Sequence, residues 1–198
     1  MGIEMAHDER KPRVIAKGRW LTFIDDAGWE YVTRPGVTGI VVIVAVTGDQ
    51  RLVLVEQYRP AVRQRVTELP AGLVGDVQGL HAESLLDAAV RELEEETGYR
   101  ADEMVPLFDG PIAVGVSDET VSFFDARGLV RVGAGGGDDT EDIAVHEVPL
   151  AELNAFLASQ RAKGIGIDPK IFAGLFLAGV SLAGVSLPAA RGTSPDRS

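Results

Sequence analysis

Hydrophobic residues in the first part of the chain recur at the spacing of β-strands. A loose alternation over residues 14–34 surrounds the turn sequence at 25–28 and predicts a small N-terminal β-hairpin. Two apolar, β-branched runs at 37–46 and 52–55 are separated by a short polar turn, and they predict a second hairpin within the core sheet. The pattern therefore favours a β-rich first part of the fold.

The hydrophobic period changes to that of an α-helix near residue 83. The apolar residues that recur at helical spacing are Leu85, Leu86, Ala89, Val90 and Leu93. Neither glycine nor proline interrupts this stretch, and Gly98 stands where the C-terminal glycine of a helix is common. The pattern predicts an amphipathic helix over residues 83–97, and two further helices over about 150–163 and 169–182.

Further strands are predicted from short apolar runs bounded by turn residues. They cover residues 66–74, 104–108, 112–116, 121–129 and 143–148. Glycine-rich stretches at 75–79 and 133–137 are predicted to be loops. Mixed strands with a few helices indicate an α+β or layered α/β/α domain.

The composition narrows the chemistry that this domain can perform. Of 198 residues, 30 are acidic and 19 basic, and the formal net charge of −11 disfavours binding to nucleic acid or to an anionic membrane surface. The chain has no cysteine, which excludes disulfides, thiolate metal sites and cysteine nucleophiles. Residues 1–13 lack the apolar segment of a secretory signal, so a cytoplasmic location is expected. The apolar stretch 171–187 is interrupted by glycine and serine and is interpreted as a buried helix, not as a membrane anchor.

Three glutamates of the predicted helix are the strongest candidates for chemistry. Glu92, Glu95 and Glu96 stand at positions i, i+3 and i+4, so their carboxylates share one helix face. Like charges at this spacing repel, and the helix dipole also disfavours anions near a C-terminus. A divalent cation such as Mg²⁺ or Mn²⁺ would offset this charge and bind phosphate oxygens. The alternative interpretation of such a run by itself is a solvated acidic helix face.

The sequence around these glutamates resembles the signature of the Nudix hydrolase family. Glu83 is followed after seven residues by Arg91-Glu92-Leu93-Glu94-Glu95-Glu96-Thr97-Gly98-Tyr99, which fits the second part of the signature at every specified position. Val77 stands where the signature has its leading glycine, and Gly72 lies further upstream. An insertion of about five residues in a surface loop accounts for this difference. The resemblance implies a Nudix-type α/β/α sandwich with a mixed β-sheet, preceded by the small N-terminal β-hairpin.

Other stretches resemble the ADP-ribose pyrophosphatase branch of that family. They are Arg34-Pro35-Gly36, Glu56-Gln57-Tyr58-Arg59, Glu68-Leu69-Pro70-Ala71-Gly72 and Thr140-Glu141-Asp142-Ile143-Ala144-Val145-His146. Residues 113–119 resemble a further motif of the branch, but Val114 occupies the position of its proline. This departure leaves the substrate open to other nucleoside diphosphate derivatives.

The resemblance implies a catalytic or metal-binding role for the matching acidic residues. The implied ligands of Mg²⁺, or of Mn²⁺ in its place, are Glu92, Glu95, Glu96, Glu141 and the backbone carbonyl of Ala71. Arg91 would orient a glutamate one turn on, which is Glu95. A carboxylate of the late loop would bind metal or act as the base, with Glu141 as the first candidate and Asp139 as the second.

A second set of residues is implied in substrate binding. Its members are Arg34, Arg59, Glu68, Gly115, Ser117 and Glu119. Arg59 would meet the diphosphate, Arg34 would lie against the adenine or a nearby phosphate, and Glu119 would bond the terminal ribose. The alternative interpretations are surface ion pairs for the two arginines and a solvated turn residue for Glu119. His146, on a predicted strand, is interpreted as packed or hydrogen-bonded and not as a metal ligand.

The implied activity is Mg²⁺-dependent hydrolysis of ADP-ribose to AMP and ribose 5-phosphate. Two alternatives stay open: a different nucleoside diphosphate sugar or dinucleotide as substrate, and a non-catalytic Nudix-fold nucleotide-binding module. The resemblance also implies a homodimer in which the N-terminal hairpin reaches over the partner. The predicted division is a hairpin or dimerisation segment at 1–36, a Nudix hydrolase domain at 37–187 and a disordered tail at 188–198.

Overall fold

The first apolar, β-branched run of the chain forms strand β4 (Gly39–Ala45) in the middle of the core. A computed structural model describes residues 11–75, 83–137 and 142–181. Val41 and Ile43 pack into one hydrophobic cluster, while Val42 and Val44 pack into another on the opposite side of the strand. A strand that is buried on both faces needs a continuous apolar sequence, which explains this run.

Two four-stranded sheets build the core. The first has the strand order β7-β4-β10-β9, with β7 (Ala71–Val74), β10 (Thr120–Arg127) and β9 (Glu103–Pro111). The second has the order β12-β5-β6-β13, with β12 (Ala144–Pro149), β5 (Arg51–Arg59), β6 (Gln64–Glu68) and β13 (Gly166–Ile167). Strands β4 and β10 are parallel, as are β6 and β13, while the remaining neighbours are antiparallel. The predicted mixed sheet is therefore confirmed.

Helices cover both faces of this arrangement. Helix α1 (Leu85–Thr97) contributes Ala88, Ala89 and Leu93 to the cluster that contains Val41 and Ile43. Helix α2 (Leu153–Ala162), which follows a single 3-10 turn (Leu150–Glu152), packs into the opposite cluster together with helix α3 (Lys170–Leu177). The α/β/α sandwich is confirmed, and α1 stands alone on its side of the first sheet among the helices that the structure describes.

The predicted N-terminal hairpin is present and has a third strand. Strands β1 (Arg13–Lys17), β2 (Thr22–Asp26) and β3 (Trp29–Thr33) form an antiparallel sheet in that order. The backbone N–H of Val32 donates to the carbonyl oxygen of Val116 at 2.8 Å, which ties this sheet to the main body. Trp20 is 60% and Trp29 is 62% exposed, so the sheet carries uncovered aromatic surface.

Three strand predictions are corrected. The two runs predicted as one hairpin of the core sheet form β4 and β5, which lie in different four-stranded sheets. The single strand predicted at 66–74 is two strands, β6 and β7, that belong to different sheets. Proline lacks a backbone N–H, and Pro70 sits at this break, where its carbonyl oxygen accepts a hydrogen bond of 2.9 Å from Ile43 N. The strand predicted at 112–116 is wrong, because the N–H groups of Val116 and Ser117 both bond back to the carbonyl of Ala113 and close a turn.

The last predicted helix is shorter than expected. Helix α3 ends at Leu177, and Gly179 then takes a left-handed φ of 70° that no helix continues through. No helix in the three described ranges is long and apolar enough to cross a membrane. The predicted tail at 188–198 and most of the predicted loop at 75–79 lie outside the described residues.

Candidate active site

Helix α1 is held in place at both ends by its own sequence. The hydroxyl of Ser84 accepts a hydrogen bond from Asp87 N at 3.1 Å, which satisfies one of the free N–H groups of the first turn. Gly98 adopts φ 72° and donates its N–H to Glu94 O at 2.9 Å, so it closes the last turn in the left-handed form that glycine favours. Because these caps set the first and last residues of α1, they also set the helix turn on which Glu92, Glu95 and Glu96 lie.

Glu96 projects from the last turn of α1 towards the start of β7. One of its carboxylate oxygens, Oε2, accepts a hydrogen bond of 3.0 Å from the backbone N–H of Ala71. Glu96 is only 3% exposed, although it lies near the negative end of the helix dipole. A buried carboxylate in this position needs partners that favour its charge, and the amide of Ala71 is one of them.

Glu92 lies directly against the next residue of the same strand. A Cβ atom on Gly72 would stand 1.9 Å from both the carboxylate carbon and one carboxylate oxygen of Glu92. This clearance exists only because residue 72 has no side chain. The carboxylates of Glu92 and Glu96 are therefore both directed at the first two residues of β7, Ala71 and Gly72.

Arg91 joins the remaining acidic groups of this helix face. Its Nη1 lies 2.9 Å from carboxylate oxygens of both Glu92 and Glu95, the second of which is the predicted contact. Its Nε and Nη2 donate to the two carboxylate oxygens of Glu83 at 3.0 and 3.2 Å. The hydrogen bond with Glu83, followed by the charges of the other two glutamates, raises the pKa of Arg91 well above its usual value. The guanidinium is thus a fixed positive charge among three carboxylates.

The three predicted metal ligands share a helix face but differ in their surroundings. Glu92 and Glu96 are mostly buried, whereas the side chain of Glu95 is 51% exposed. Within residues 11–75, 83–137 and 142–181, no three acidic or histidine side chains are already gathered into a closed ligand set. The donor chemistry still fits Mg²⁺, since carboxylate oxygens and the main chain of β7 are the hard ligands that this cation prefers.

The glycine-rich stretch predicted as a loop docks on the C-terminus of α1. Gly136 N donates to Glu96 O at 2.8 Å, and Gly137 N donates to Glu95 O at 3.0 Å. These bonds satisfy helix carbonyls that would otherwise lack an intrahelical partner. Gly135 approaches so closely that a Cβ would stand 2.4 Å from the carbonyl carbon of Thr97. The candidate bases Asp139 and Glu141 lie outside the described residues, and the last described residue before them is fixed beside the glutamates.

Gly135→Ala is expected to destabilise the protein more than Gly164→Ala. Both glycines have a left-handed φ, 70° and 85°, which costs an alanine about 1–2 kcal/mol. Only Gly135 also faces backbone atoms, because nothing lies within 4 Å of a Cβ on Gly164. Denaturant unfolding of both variants at equal m-value measures the difference, and equal midpoints would contradict the tight docking of this stretch.

A second cluster of charged groups, with the buried carboxylate of Glu56 at its centre, lies near the point where the described residues resume at 142. Arg65 donates through Nη1 to the carboxylate of Asp142 at 2.8 Å and through Nε to Glu56 at 2.7 Å. Glu56 also accepts from Gln160 Nε2 at 2.7 Å, and it lies 3.1 Å from the ring Nε2 of His146. The interpretation of His146 as a packed, hydrogen-bonded residue agrees with this contact. Arg65 thereby links the residue after Glu141 to a buried carboxylate.

Replacing Glu56 with glutamine is expected to lower stability at neutral pH but not in acid. Burial by itself raises the pKa of Glu56, but hydrogen bonds from Arg65, Gln160 and His146 outweigh it and bring the pKa below 4.5. Because the unfolded chain then binds the proton first, this stabilisation is lost as the pH falls through 4.5 to the folded pKa. The free energies of unfolding of wild type and Glu56→Gln should therefore converge as the pH falls from about 7 through 4.5 towards the folded pKa. A difference that stays constant over this range would contradict the assignment.

Arg59 and Glu68 form a two-bond ion pair beside the glutamates. Arg59 Nε donates to Glu68 Oε1 at 2.7 Å, and Arg59 Nη2 donates to Glu68 Oε2 at 2.5 Å. The hydrogen bond with Glu68 raises the pKa of Arg59 against the effect of burial, and the charge of Glu96 adds to it. Glu68 is buried at 5% exposure, while the arginine side chain is partly open to solvent. Arg59 is therefore an ion-pair partner, as the alternative interpretation expects, and the carboxylate of the pair is buried.

The other predicted substrate residues meet at the edge of the N-terminal sheet. Arg34 Nε donates to Glu119 Oε1 at 3.0 Å, and the hydroxyl of Ser117 donates to Glu119 Oε2 at 3.2 Å. A cavity of about 360 Å³ lies between Trp20, Arg34 and Leu73. The cavity therefore extends from Arg34 to β7, the strand that the carboxylates of Glu92 and Glu96 face. Gly115 belongs to the adjacent exposed turn and contacts none of these side chains.

Comparison with known proteins identifies the family to which this chain belongs. The family model described as NUDIX domain matches residues 37–166, which extend from just before β4 to just after α2 and include α1. The chain belongs to the Nudix hydrolase family. Helix α1, Arg91 and the three glutamates lie within the matched residues of this Nudix protein.

The chain is also similar to individual proteins and to solved structures. The chain is 33% identical to a methanol dehydrogenase activator of Bacillus methanolicus over 67% of this chain and 68% of that protein. It is 40% identical to an ADP-ribose pyrophosphatase of Mycobacterium tuberculosis over 63% of this chain and 60% of that protein. The crystal structure of an ADP compounds hydrolase superposes with a TM-score of 0.63 at 23% identity, over 88% of this chain and 96% of the other. The last match supports the fold of this Nudix protein.

The sequence analysis missed three features of the site. Glu83 was used as a signature residue, but its function as the buried two-bond partner of Arg91 was not foreseen. The sequence identified Gly72 only as a displaced signature glycine and did not predict its close approach to Glu92. Arg65 was not considered at all. The sequence signals were the spacing of Glu83 from Arg91 and the place of Gly72 at the end of a stretch that resembles the family branch. Neither signal specifies a contact.

Proposed function

We propose that this Nudix protein hydrolyses the diphosphate bond of ADP-ribose and releases AMP and ribose 5-phosphate, using Mg²⁺. The observation that carries the proposal is the direction of the Glu92 and Glu96 carboxylates towards Ala71 and Gly72, beside the Arg91–Glu95 pair. The name of the relative from Mycobacterium tuberculosis supports the substrate class.

The metal ligands in this proposal are the carboxylates of Glu92, Glu95 and Glu96 with the carbonyl of Ala71, and Mn²⁺ is the alternative cation. Bound there, the cation would neutralise charge on the diphosphate and lower the pKa of a coordinated water. Arg91 keeps Glu95 turned towards its neighbours through the 2.9 Å contact, while Glu83 prevents the guanidinium from rotating away. Glu141, or Asp139 in its place, takes the proton of the attacking water.

The substrate extends from the glutamates to the N-terminal sheet. Arg59 binds the diphosphate, since its side chain is partly open and carries a fixed positive charge next to Glu96. Arg34 lies against a phosphate beside the cavity at Trp20, and Glu119, which it contacts at 3.0 Å, accepts a hydrogen bond from the terminal ribose attached to that phosphate. Water adds to one phosphorus and the bridging P–O bond breaks, so each product keeps one phosphate.

A nucleoside diphosphate screen tests this function. The purified protein is incubated with ADP-ribose, GDP-mannose and diadenosine diphosphate, with and without Mg²⁺, and phosphate is measured before and after treatment with phosphatase. The proposal expects phosphate only after phosphatase, only with Mg²⁺, and fastest from ADP-ribose. Absence of hydrolysis of every substrate would contradict the enzymatic function and favour a nucleotide-binding module.

A different nucleoside diphosphate sugar is the second candidate. It is favoured by Val114, which replaces the proline of the ADP-ribose branch and lies 76% exposed in the turn next to Gly115. This turn leads to Ser117 and Glu119, which would contact the group beyond the diphosphate. Faster hydrolysis of a substrate other than ADP-ribose in the same screen would select this candidate.

The protein is also proposed to be a homodimer. The N-terminal sheet exposes Trp20 and Trp29, and the five residues of β1 are all exposed. A second copy would cover this surface and the edge of β1. Light scattering coupled to size exclusion measures the molar mass, and a monomer at all concentrations would contradict the proposal.

A further inference from the structure

We propose that Glu68 is a positioning residue that acts through Arg59: it occupies one edge of the guanidinium and leaves the other edge for the diphosphate. This inference rests on the proposed function, because it assumes that Arg59 meets a diphosphate. It differs from the implied role of Glu68 as a substrate-binding residue, since Glu68 would not touch the substrate.

Strand register places the two residues on the same face of the β5–β6 hairpin. Arg59 pairs with Gln64, and Glu68 pairs with Val55, so both lie an even number of residues from the pair Gln57–Val66. Side chains alternate along a strand, which puts Arg59 and Glu68 together and away from Glu56 and Arg65. The arginine therefore reaches back along its own strand to meet the carboxylate.

The Arg59 atoms that bond Glu68 determine which N–H donors of the guanidinium remain for a phosphate group. The pair uses Nε and Nη2, which form the side edge of the planar guanidinium. Of the five N–H donors, this pair leaves the two on Nη1 and the second one on Nη2. One N–H of Nη1 and this second N–H of Nη2 form the end edge of the guanidinium. That edge matches two oxygens of a phosphate group. Only arginine has two such edges, because a lysine ammonium is a point charge without a fixed plane.

The surroundings explain why Arg59 needs a buried partner. Arg59 is the last residue of β5, next to the turn at 60–63, and its long side chain has several rotatable bonds. Glu96 and Asp168 are further negative charges that act on it. Without Glu68, the guanidinium could turn to Glu96 and compete with a cation for that carboxylate. A buried two-bond partner holds it in one orientation before substrate arrives, which lowers the entropy lost on binding.

A double-mutant cycle on the substrate identified by the screen tests the inference. The variants are Glu68→Gln, Arg59→Ala and the double variant, with KM, kcat and the unfolding midpoint measured for each. Glu68→Gln is expected to raise KM about tenfold with a smaller change in kcat, since one charged hydrogen-bond partner is lost. In the Arg59→Ala background the same substitution is expected to change KM less than about twofold, because Glu68 then has no arginine to orient.

Asp125→Asn is the matched control. Asp125 is a largely buried strand carboxylate that accepts from Arg127 Nε at 2.7 Å, which is the same distance as in the Arg59–Glu68 pair. The substitution removes one negative charge from an arginine–carboxylate pair on β10, as Glu68→Gln does on β6. KM is expected to stay within about twofold of wild type. If Glu68→Gln folds poorly, Glu68→Asp replaces it, since the shorter carboxylate keeps the charge and breaks the two-bond geometry.

Two outcomes would overturn the inference. A wild-type KM for a folded Glu68 variant would show that Arg59 needs no such partner. An equal rise in KM in the presence and absence of Arg59 would show that Glu68 acts on the substrate independently. Both are distinct from failure of the proposed function, in which the wild-type protein itself hydrolyses none of the substrates.

Discussion

Glu95→Gln is expected to lower kcat by about 10² to 10³-fold while leaving the fold unchanged, because a metal ion contributes several kcal/mol of charge stabilisation in the transition state. The side chain of Glu95 is half exposed, and its described hydrogen bond is the one from Arg91. Glutamine has the same shape and can still accept that bond, so little folding energy is lost. It has no negative charge to bind Mg²⁺, so the loss falls on turnover.

Glu94→Gln is the control for this prediction because it changes the adjacent residue in the same way. The carboxylate of Glu94 turns to Arg100, with bonds of 3.0 and 3.1 Å, and so belongs to a different side of the helix. Its kcat is expected to remain within about twofold of wild type, as for other surface ion pairs. Initial rates at saturating substrate and Mg²⁺ measure both variants. Wild-type turnover in Glu95→Gln, or equal losses in the two variants, would remove Glu95 from the catalytic set.

The local part of this site could be predicted from the sequence. The apolar spacing from Leu85 to Leu93 and the glycine at 98 indicated α1, and the structure begins it two residues later than predicted, at Leu85, because Ser84 supplies the cap. The shared face of Glu92, Glu95 and Glu96 follows from the helix period by itself. These features depend on residues a few positions apart, which sequence patterns report directly.

The long-range part could not be predicted, because spacing along the chain does not specify which backbone a side chain will meet. Glu96 accepts a hydrogen bond from the amide of Ala71, which is 25 residues away in sequence. Arg65 donates a hydrogen bond to Asp142, which is 77 residues away in sequence. The stretch 133–137 was predicted as a free loop from its glycines, yet those glycines are what allows it to approach the end of α1 closely. Tertiary packing, and not local propensity, decided each of these contacts.

The same limit explains the errors in the strands. The sequence from Val66 to Val74 is apolar enough for one strand, and only the pairing of its two halves with different sheets divides it at Pro70. The division has a functional consequence, because it turns the chain so that Glu68 lies with Arg59 and Ala71 lies with Glu96. Residues 68–72, one of the stretches that resemble the family branch, therefore form a corner between two sheets.

Gly72→Ala is expected to reduce kcat by about 10²-fold, since misplacement of a catalytic group by about 1 Å is enough for such a loss. The new Cβ would stand 1.9 Å from the Glu92 carboxylate carbon, so the carboxylate has to leave its place over the strand. Glu92 is a flexible side chain and can rotate, so the midpoint of thermal unfolding should fall by only a few degrees, as for a loss of about 1 kcal/mol. The Mg²⁺ concentration at half-maximal rate should rise about tenfold.

Gly48→Ala separates this effect from a general cost of replacing glycine. Gly48 lies in the turn between β4 and β5, and nothing stands within 4 Å of a Cβ built on it. It is expected to keep the wild-type kcat and Mg²⁺ dependence. If Gly72→Ala behaves like Gly48→Ala, the position of the Glu92 carboxylate has no influence on the reaction. A loss of turnover in Gly72→Ala alone, at nearly unchanged stability, would instead show that the missing side chain of Gly72 serves the metal site and not the fold, because the atoms nearest to a Cβ at this position belong to the Glu92 side chain.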